Sequence, residues 1–515
     1  MNGAQSLIRT LVNCGVEVCF GNPGTSEMHF VAALDLVPEM RPVLCLFEGV
    51  ATGAADGYGR MADKPASVLL HLGPGLANGL ANLHNTRRAG TPVVVLVGDH
   101  ATHHLQYDPP LTTDIAGLAR PVSSWVHSAK SALTVAGDAA RAVQAARAAP
   151  GGVATLIVPA DAAWNDAVAA AQPLPQGRPH PVAGEVIDEI AGLLRNGKRT
   201  AILMRGRELT GSGLEAAGRV AAKTGARLLC DLFSPHTQLG AGRVAVERLP
   251  YLPAQVIQFL SGIEQLVLVG LRPPASMFAY PGMPGLCAPE GCRLALLAGD
   301  HEDGVQALEA LDDALGGPPA TPRRISLALP PLPTGPLNAM TLAQAVAHLT
   351  PENSIFADES VTTALALGPM ITHGHPSDHL MATTGGAIGQ GLPVAIGAAI
   401  ACPGRKVICL EGDGSAAYTM QSLWTMAREN LDVTVVICAN RSYAILNLEL
   451  AQMGAAGAGQ RTKSLLDLHH PEMNWARIAE GMGVEASRAT TSAEFVAQYA
   501  AAMKQRGPRL IEALI

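Results

Sequence analysis

The sequence predicts an α/β protein built of three doubly wound parallel-sheet domains. Three observations lead there. Short, continuous apolar runs of strand length recur along the chain, as expected where parallel strands are buried on both faces. Longer stretches with apolar residues at helical spacing alternate with them. Two Pro-rich stretches, AQPLPQGRPHPVAG (Ala171–Gly184) and GGPPATPRRISLALPPLPTGPLN (Gly316–Asn338), read as extended linkers and leave three segments of comparable size: 1–172, 183–318 and 338–515. A chain of 515 residues exceeds one ordinary core, and about 150 residues per domain also gives three.

In the first segment, Pro42–Phe47 (PVLCLF), Ser67–His71 (SVLLH) and Pro92–Gly98 (PVVVLVG) read as buried strands with helices between them. The middle segment repeats the style with Arg199–Met204, Ala226–Cys230, Gln265–Val269 and Arg293–Leu297, but it has few ionisable clusters and reads as scaffold. The third has Ser354–Ala357, Lys406–Leu410, Val433–Cys438 and Pro508–Ala513. A doubly wound unit used three times accounts for all of them.

Composition excludes several classes. Hydrophobic residues make up 48% and charged residues 15%, with 54 Gly and 37 Pro, which describes a well-buried chain with many turns rather than a disordered one. Aromatics at 4% supply little for stacking on single-stranded nucleic acid, and a net charge of −7 repels a phosphate backbone. The nine cysteines form no CxxC pair, and Cys287 and Cys292 lack the spacing of a zinc knuckle, so buried free thiols are expected. The N-terminus has helical spacing instead of a leader pattern, and no apolar stretch reaches the ~18 residues of a membrane span. A soluble, cytoplasmic protein is expected.

The strongest local signal is KVICLEGDGSAAYTMQSLWTMAREN followed by LDVTVVICANRSYAIL. A buried strand runs into Gly412-Asp413-Gly414-Ser415, a helix follows, and a second buried strand ends at Asn440. In an open parallel sheet both loops lie at the carboxyl edge, where ligands bind. Hard oxygen donors on two loop tips, beside glycines that admit a diphosphate, suit Mg²⁺ bridging protein and phosphate oxygens. Taken alone, a GDG would be a turn and Asn440 a helix cap.

The spacing of GDG and Asn resembles the thiamine-diphosphate-binding motif of the family that includes acetolactate synthase, benzoylformate decarboxylase and pyruvate decarboxylase, and the likeness runs along the whole chain. It implies thiamine diphosphate and Mg²⁺ as cofactors, a pyrimidine-binding first domain, a central domain and a diphosphate-binding third domain. The metal ligands it implies are Asp413, Asn440 and the carbonyl of Ser442, with Gly412, Gly414 and Ser415 beside the cofactor. Arg441 stands where the family usually has a second Asn. In the first segment, FGNPGTSEM (Phe20–Met28) and LFEGVATGAADGYGRM (Leu46–Met61) resemble the pyrimidine-binding domain. Glu48, which alone would read as a helix-dipole partner, thereby becomes the residue that hydrogen-bonds N1′ of the aminopyrimidine and promotes removal of the C2 proton.

Two further segments agree with the likeness. GGAIGQGLPVAIGAAI (Gly385–Ile400) looks like the stretch under the thiazolium, with Ile388 as the bulky residue that bends the cofactor. ADESVTTA (Ala357–Ala364) resembles the loop that helps hold the diphosphate, with Glu359, Ser360 and Thr362 as candidates. Because the family builds each site from two subunits, a homodimer is the minimum unit and a homotetramer is expected.

His71, in LLHLGPGLANG, ends a strand ahead of a glycine-rich turn and would ordinarily be a satisfied core residue. Benzoylformate decarboxylase has a histidine at the matching place, so proton transfer by His71 is expected. Thr25 falls in the slot of a substrate-contacting serine. GPGLANG is not GxGxxG, so NAD is discounted. His100, His103 and His104 could bind a metal by composition but read as an ordinary loop and receive no role.

The resemblance thus implies non-oxidative decarboxylation of a small-molecule 2-oxo acid through a C2 carbanion and an enamine, which is then protonated. A carboligase that joins the enamine to a second carbonyl, like acetolactate synthase, is the alternative, although no segment reads as an FAD site. A non-catalytic homologue is a third reading. SYAILNLELAQMGA, after Asn440, departs from both comparison patterns.

Overall fold

The computed structural model describes residues 1–454 and 459–515; the end of the SYAILNLELAQMGA segment, Ala455, lies outside the described residues. Strands β1 (Val18–Asn22), β2 (Arg41–Leu44), β3 (Ala66–Leu70), β4 (Val93–Asp99), β5 (Trp125–Ser128) and β6 (Val153–Pro159) form an all-parallel sheet in the order β2-β1-β3-β4-β6-β5. The middle segment contributes β7 (Thr200–Met204), β8 (Arg227–Cys230), β9 (Thr237–Leu239), β10 (Glu247–Arg248), β11 (Gln265–Val269) and β12 (Arg293–Ala298). Five of these form a parallel sheet in the order β10-β8-β7-β11-β12. The third sheet contains β13 (Ile355–Glu359), β14 (Ser377–Met381), β15 (Val407–Gly412), β16 (Val433–Ala439), β17 (Glu485–Ala489) and β18 (Arg509–Leu514), in the order β17-β18-β16-β15-β13-β14-β9. The expected α/β class with three mostly parallel sheets is what the chain adopts.

The departures have physical causes. β9 comes from the middle segment yet pairs antiparallel with β14 and extends the third sheet. β14 itself carries Asp378 and His379, which break an apolar run. Both are buried because each finds partners: Asp378 Oδ1 lies 2.6 Å from His236 Nε2, and His379 Nε2 lies 3.0 Å from Asp358 Oδ2. The glycine-rich turn expected after His71 is instead the start of a helix, Leu72–Ala89, because its glycines pack against other elements. A Cβ on Gly79, for example, would lie 2.9 Å from Thr52 Cγ2. The first linker is pinned to the opening helix Gly3–Asn13: Ala171 N donates to Thr10 Oγ1 at 2.9 Å and Ser6 Oγ to Ala169 O at 2.7 Å.

The first and third sheets are joined by helix Glu48–Ala62 lying on helix Gly391–Ala401. Their small residues bring the backbones together. A Cβ on Gly57 would meet Val394 O at 2.2 Å, and one on Gly397 would meet Ala54 O at 1.9 Å. One apolar cluster consequently runs from Val68 and Val95 through Ala54 and Val394 to Val407 and Val435. All nine cysteines are free, and all but Cys292 and Cys402 are buried. Among the described residues no helix is long and apolar enough to cross a membrane.

Candidate active site

The carboxyl edge of the first sheet gathers the loops after β1, β2, β3 and β4. Glu48 opens helix Glu48–Ala62, is 8% exposed, and accepts a hydrogen bond from Asn78 Nδ2 on Oε2 at 3.0 Å. His71 stands at the head of the neighbouring helix. A Cβ on Gly75 would lie 3.5 Å from Glu48 Oε1 and 3.4 Å from His71 Cβ, so the two side chains border the same space. Leu72, directly after His71, is buried with φ +48°, a costly conformation for a bulky residue that a packed surround must hold.

His71 does not act alone. Its Nδ1 lies 2.9 Å from Glu27 Oε2 and 3.2 Å from Ser26 Oγ. The Glu27 carboxylate is buried, and its Oε2 also accepts from Gly24 N at 2.7 Å while Ser26 Oγ donates to its Oε1. Two glycines make the room. A Cβ on Gly24 would sit 2.3 Å from the His71 ring, and one on Gly98 would sit 1.7 Å from Glu27 Oε1. With Nδ1–H held by the carboxylate, Nε2 is the nitrogen left to exchange a proton. Thr25 is exposed, and the residues that meet the histidine are its neighbours Ser26 and Glu27, which the sequence reading passed over. The available signal was an acidic residue closing a short turn on the edge that carries His71.

At the third sheet, the loops after β13, β15 and β16 converge. Asp413 is 3% exposed and accepts from Gly414 N at 3.0 Å and Arg441 N at 2.7 Å. Burial pushes its carboxyl up, against the pull of those N–H groups. Asn440 Oδ1 accepts from Ser442 N at 2.9 Å, across Arg441 with φ +53°. Ser415 is buried two residues beyond Asp413, and a Cβ on Gly414 would strike the Tyr443 ring at 2.6 Å, whereas on Gly412 it would find no atom closer than 3.7 Å. In the loop after β13, Ser360 gives both N–H and Oγ–H to Asp358 Oδ1 at 3.0 and 2.7 Å. Val361 has φ +47°, an outlier for a β-branched residue, and packs toward Gly412 with Thr362 beside it.

Glu359 is placed differently from a diphosphate contact. Its carboxylate takes the N–H groups of Gly389, Gln390 and Gly391 at 2.7, 2.7 and 2.6 Å, and burial pushes it up to about 7. Glu411, fully buried beside it, is pushed well above the carboxylate range by burial and by the Glu359 charge.

The donors fit a divalent cation held with a diphosphate. Asp413 is a buried carboxylate whose hydrogen-bond partners among the described residues are backbone N–H groups, and among those residues it forms no salt bridge. A cation beside it would relieve the burial cost, and amide and carbonyl oxygens at Asn440 and Ser442 complete a hard donor set. No hydrogen bond or ion pair among the described residues links Glu48 or His71 to Asp413, Asn440 or Ser442. The two halves of the candidate site lie on different sheets.

Comparison with known proteins agrees with this division. Residues 1–118 match the model of the thiamine pyrophosphate enzyme N-terminal TPP binding domain, and residues 363–513 that of the C-terminal TPP binding domain. The chain is also 51% identical, over all of its length and 99% of the relative's, to the Mycobacterium tuberculosis protein IlvX, provisionally named an acetolactate synthase large subunit. The chain belongs to the thiamine pyrophosphate enzyme family. Within the family it is 29% identical to benzoylformate decarboxylase of Pseudomonas aeruginosa, over 97% of this chain and 96% of that one. The fold matches that of the thiamine diphosphate-dependent 4-hydroxybenzoylformate decarboxylase of Rhodococcus jostii with a TM-score of 0.86, at 23% identity over 100% of this chain and 99% of that one. Benzoylformate decarboxylase of Polynucleobacter necessarius gives a TM-score of 0.87 at 20% identity over the same shares.

Two other features of this family member lie outside these hydrogen-bond networks. A cavity of about 2070 Å³ opens at the carboxyl edge of the central sheet and reaches Thr384–Gly386, but Glu48, His71, Asp413 and Asn440 do not line it. In the loop after β4, the ring of His104 contacts those of His100 and Tyr107, while that of His103 contacts Trp164, and among the described residues no group of three or more His, Cys, Asp and Glu side chains could hold a metal.

Proposed function

We propose that this protein is a thiamine-diphosphate- and Mg²⁺-dependent enzyme that decarboxylates a 2-oxo acid without oxidation. The observation that carries the reading is the buried Glu27 carboxylate on His71 Nδ1, on the same edge as Glu48. Asp413, Asn440 and the Ser442 carbonyl would hold the metal. Gly412, Gly414, Ser415, Ser360 and Thr362 surround the diphosphate. Ile388 would lie beneath the thiazolium ring of the bound cofactor, and Thr25 would lie at the substrate mouth.

Bound there, thiamine diphosphate supplies a carbon nucleophile and an electron sink for the bond next to the 2-oxo carbon. The chain supplies the rest. Glu48 holds a proton at the pyrimidine ring, with Asn78 fixing the carboxylate by its Oε2. His71 Nε2 would be the group that gives a proton to the substrate's former 2-oxo carbon, and Glu27 and Ser26 keep that nitrogen aimed. Since no hydrogen bond or ion pair among the described residues joins the donors on the two sheets, our reading is that the complete site is assembled from two copies, with a homodimer as the minimum unit and a homotetramer the expected form.

The 51% identity to IlvX supports a second reading, a carboligase of the acetolactate synthase kind. Carbon dioxide release from a panel of 2-oxo acids including pyruvate and benzoylformate, with product identification by mass spectrometry, separates them. Aldehyde supports the decarboxylase, and a hydroxy ketone the carboligase. Glu48→Gln should bind the cofactor and lose turnover, and undiminished turnover would overturn both.

A further inference from the structure

Ile388 sits between backbone groups that two side chains hold, one from each of two domains. On one side stands Asn85, on helix Leu72–Ala89 and fully buried. Its Oδ1 accepts from Gly385 N at 3.0 Å and Ala387 N at 3.2 Å, and its Nδ2 donates to Ala387 O at 2.7 Å. On the other side Glu359, at the end of β13, accepts from the three N–H groups of Gly389, Gln390 and Gly391. Among the described residues no hydrogen bond engages Ile388 itself.

The turn is shaped to be held from outside. Gly386 and Gly389, with φ +87° and +88°, flank Ile388 closely and let the neighbouring N–H groups face the two side chains. A Cβ on Gly385 would lie 2.8 Å from Asn85 Oδ1, so the backbone and the amide are pressed together. Secondary supports converge on the same stretch: His84 Nε2 on Gly385 O at 3.0 Å, and Thr419 Oγ1 on Gly389 O at 2.9 Å. A buried Asn with three hydrogen bonds to one turn is worth more than packing requires, since an apolar residue could fill the space.

We propose that Asn85 and Glu359 are positioning residues that set the height of Ile388 under the bound thiamine diphosphate, an inference that rests on the reading of the site given above. Asn85 comes from the first domain and Glu359 from the third, so the packing of the two sheets fixes the geometry of the cofactor support. Neither side chain is among those placed around the diphosphate. Loss of Asn85 therefore separates cofactor geometry from cofactor affinity.

The test uses the purified full-length protein and its Asn85→Asp and Asn85→Ala variants. Thiamine diphosphate affinity with Mg²⁺ is read by calorimetry, C2-proton exchange of the bound cofactor by NMR after acid quench, and amide exchange over residues 383–391 by mass spectrometry without cofactor. Misplacement by about 1 Å should slow C2-proton exchange by roughly tenfold or more in Asn85→Ala while affinity stays within about threefold. Amide exchange at Gly385 and Ala387 should rise. Asn85→Asp keeps the acceptor for both N–H groups and loses one donor, and should fold and fall between. Ile388→Ala should reproduce the slow C2-proton exchange with the amides still protected. C2-proton exchange at the native rate in Asn85→Ala overturns the proposal, as does a loss of affinity as large as the loss of exchange. Failure of the native protein to bind thiamine diphosphate overturns instead the reading of the site, and is seen before any variant is made.

Discussion

Glu27 Oε2 accepts from Gly24 N and lies 2.9 Å from His71 Nδ1, so one carboxylate oxygen fixes both the loop after β1 and the ring after β3. A buried carboxylate behind an imidazole holds its tautomer and makes the far nitrogen the working one. Glu27→Gln keeps the shape but can present an N–H to Nδ1. Turnover is expected to fall by about 10²-fold, the lower end for general acid–base catalysis, with thiamine diphosphate affinity unchanged. Steady-state kinetics on the best 2-oxo acid, beside a binding isotherm, checks this; equal turnover would remove Glu27 from the mechanism.

Gly24 offers a steric version of the same experiment. Its backbone suits any residue, but a Cβ would sit 2.3 Å from the His71 ring. Gly24→Ala should therefore displace the imidazole and reduce turnover nearly as far as His71→Ala, while the midpoint of thermal unfolding shifts only slightly. A variant with native turnover would mean that the ring is free to move.

Much of both edges was legible in the sequence because the chemical residues stand at or shortly past the ends of strands: His71 directly after β3, Asp413 after β15 and Asn440 after β16, with Glu48 a short loop beyond β2. Glu27 was not, because a Glu two residues into a three-residue turn reads as a cap, and its Oε2 does cap Gly24 N. Asn85 leaves no periodic signal inside an 18-residue helix. Strand β14 was hidden by Asp378 and His379, whose burial depends on partners distant in the chain. That β9 joins the third sheet depends on tertiary packing rather than on any local pattern.

Asp413 predicts a linkage effect. With Mg²⁺ and thiamine diphosphate at 100 times their dissociation constant, binding should stabilise the native protein by about 2.7 kcal/mol. Asp413→Ala removes the buried carboxylate that the metal would offset. Its cofactor-free form should be at least as stable as the native one, since burial pushes that carboxyl up, and its melting temperature should not respond to the cofactors. Differential scanning calorimetry with and without both cofactors decides; an equal upward shift in the variant would place the metal elsewhere.

The contact between helices Glu48–Ala62 and Gly391–Ala401 predicts a large packing penalty. A methyl group on Gly397 would enter the backbone of the facing helix, 1.9 Å from Ala54 O and 2.3 Å from Tyr58 N, where no flexible side chain can yield. Gly397→Ala should cost about 3 kcal/mol, the upper range for overpacking. The urea midpoint should fall accordingly, and a midpoint within error of the native one would show that the helices can separate without cost.

The central domain supplies a pH test that is independent of catalysis. Glu208 is 7% exposed, and burial, helped by the Asp303 charge, pushes its carboxyl up to about 7. The folded protein thus keeps a proton that the unfolded chain gives up near pH 4.5, the ordinary value. Between those limits the folded state binds more protons than the unfolded one, so this residue's contribution is fully favourable below about pH 4.5 and is lost as pH rises through 7. The gap amounts to roughly 3 kcal/mol at most. Glu208→Gln has the same shape and does not titrate, so its stability relative to the native protein should improve from pH 5.5 through about pH 7 and level off by pH 8, ending about 2 to 3 kcal/mol ahead. Urea unfolding of both proteins at the two pH values measures this, and a constant difference would mean that Glu208 is ionised and solvated in the folded state.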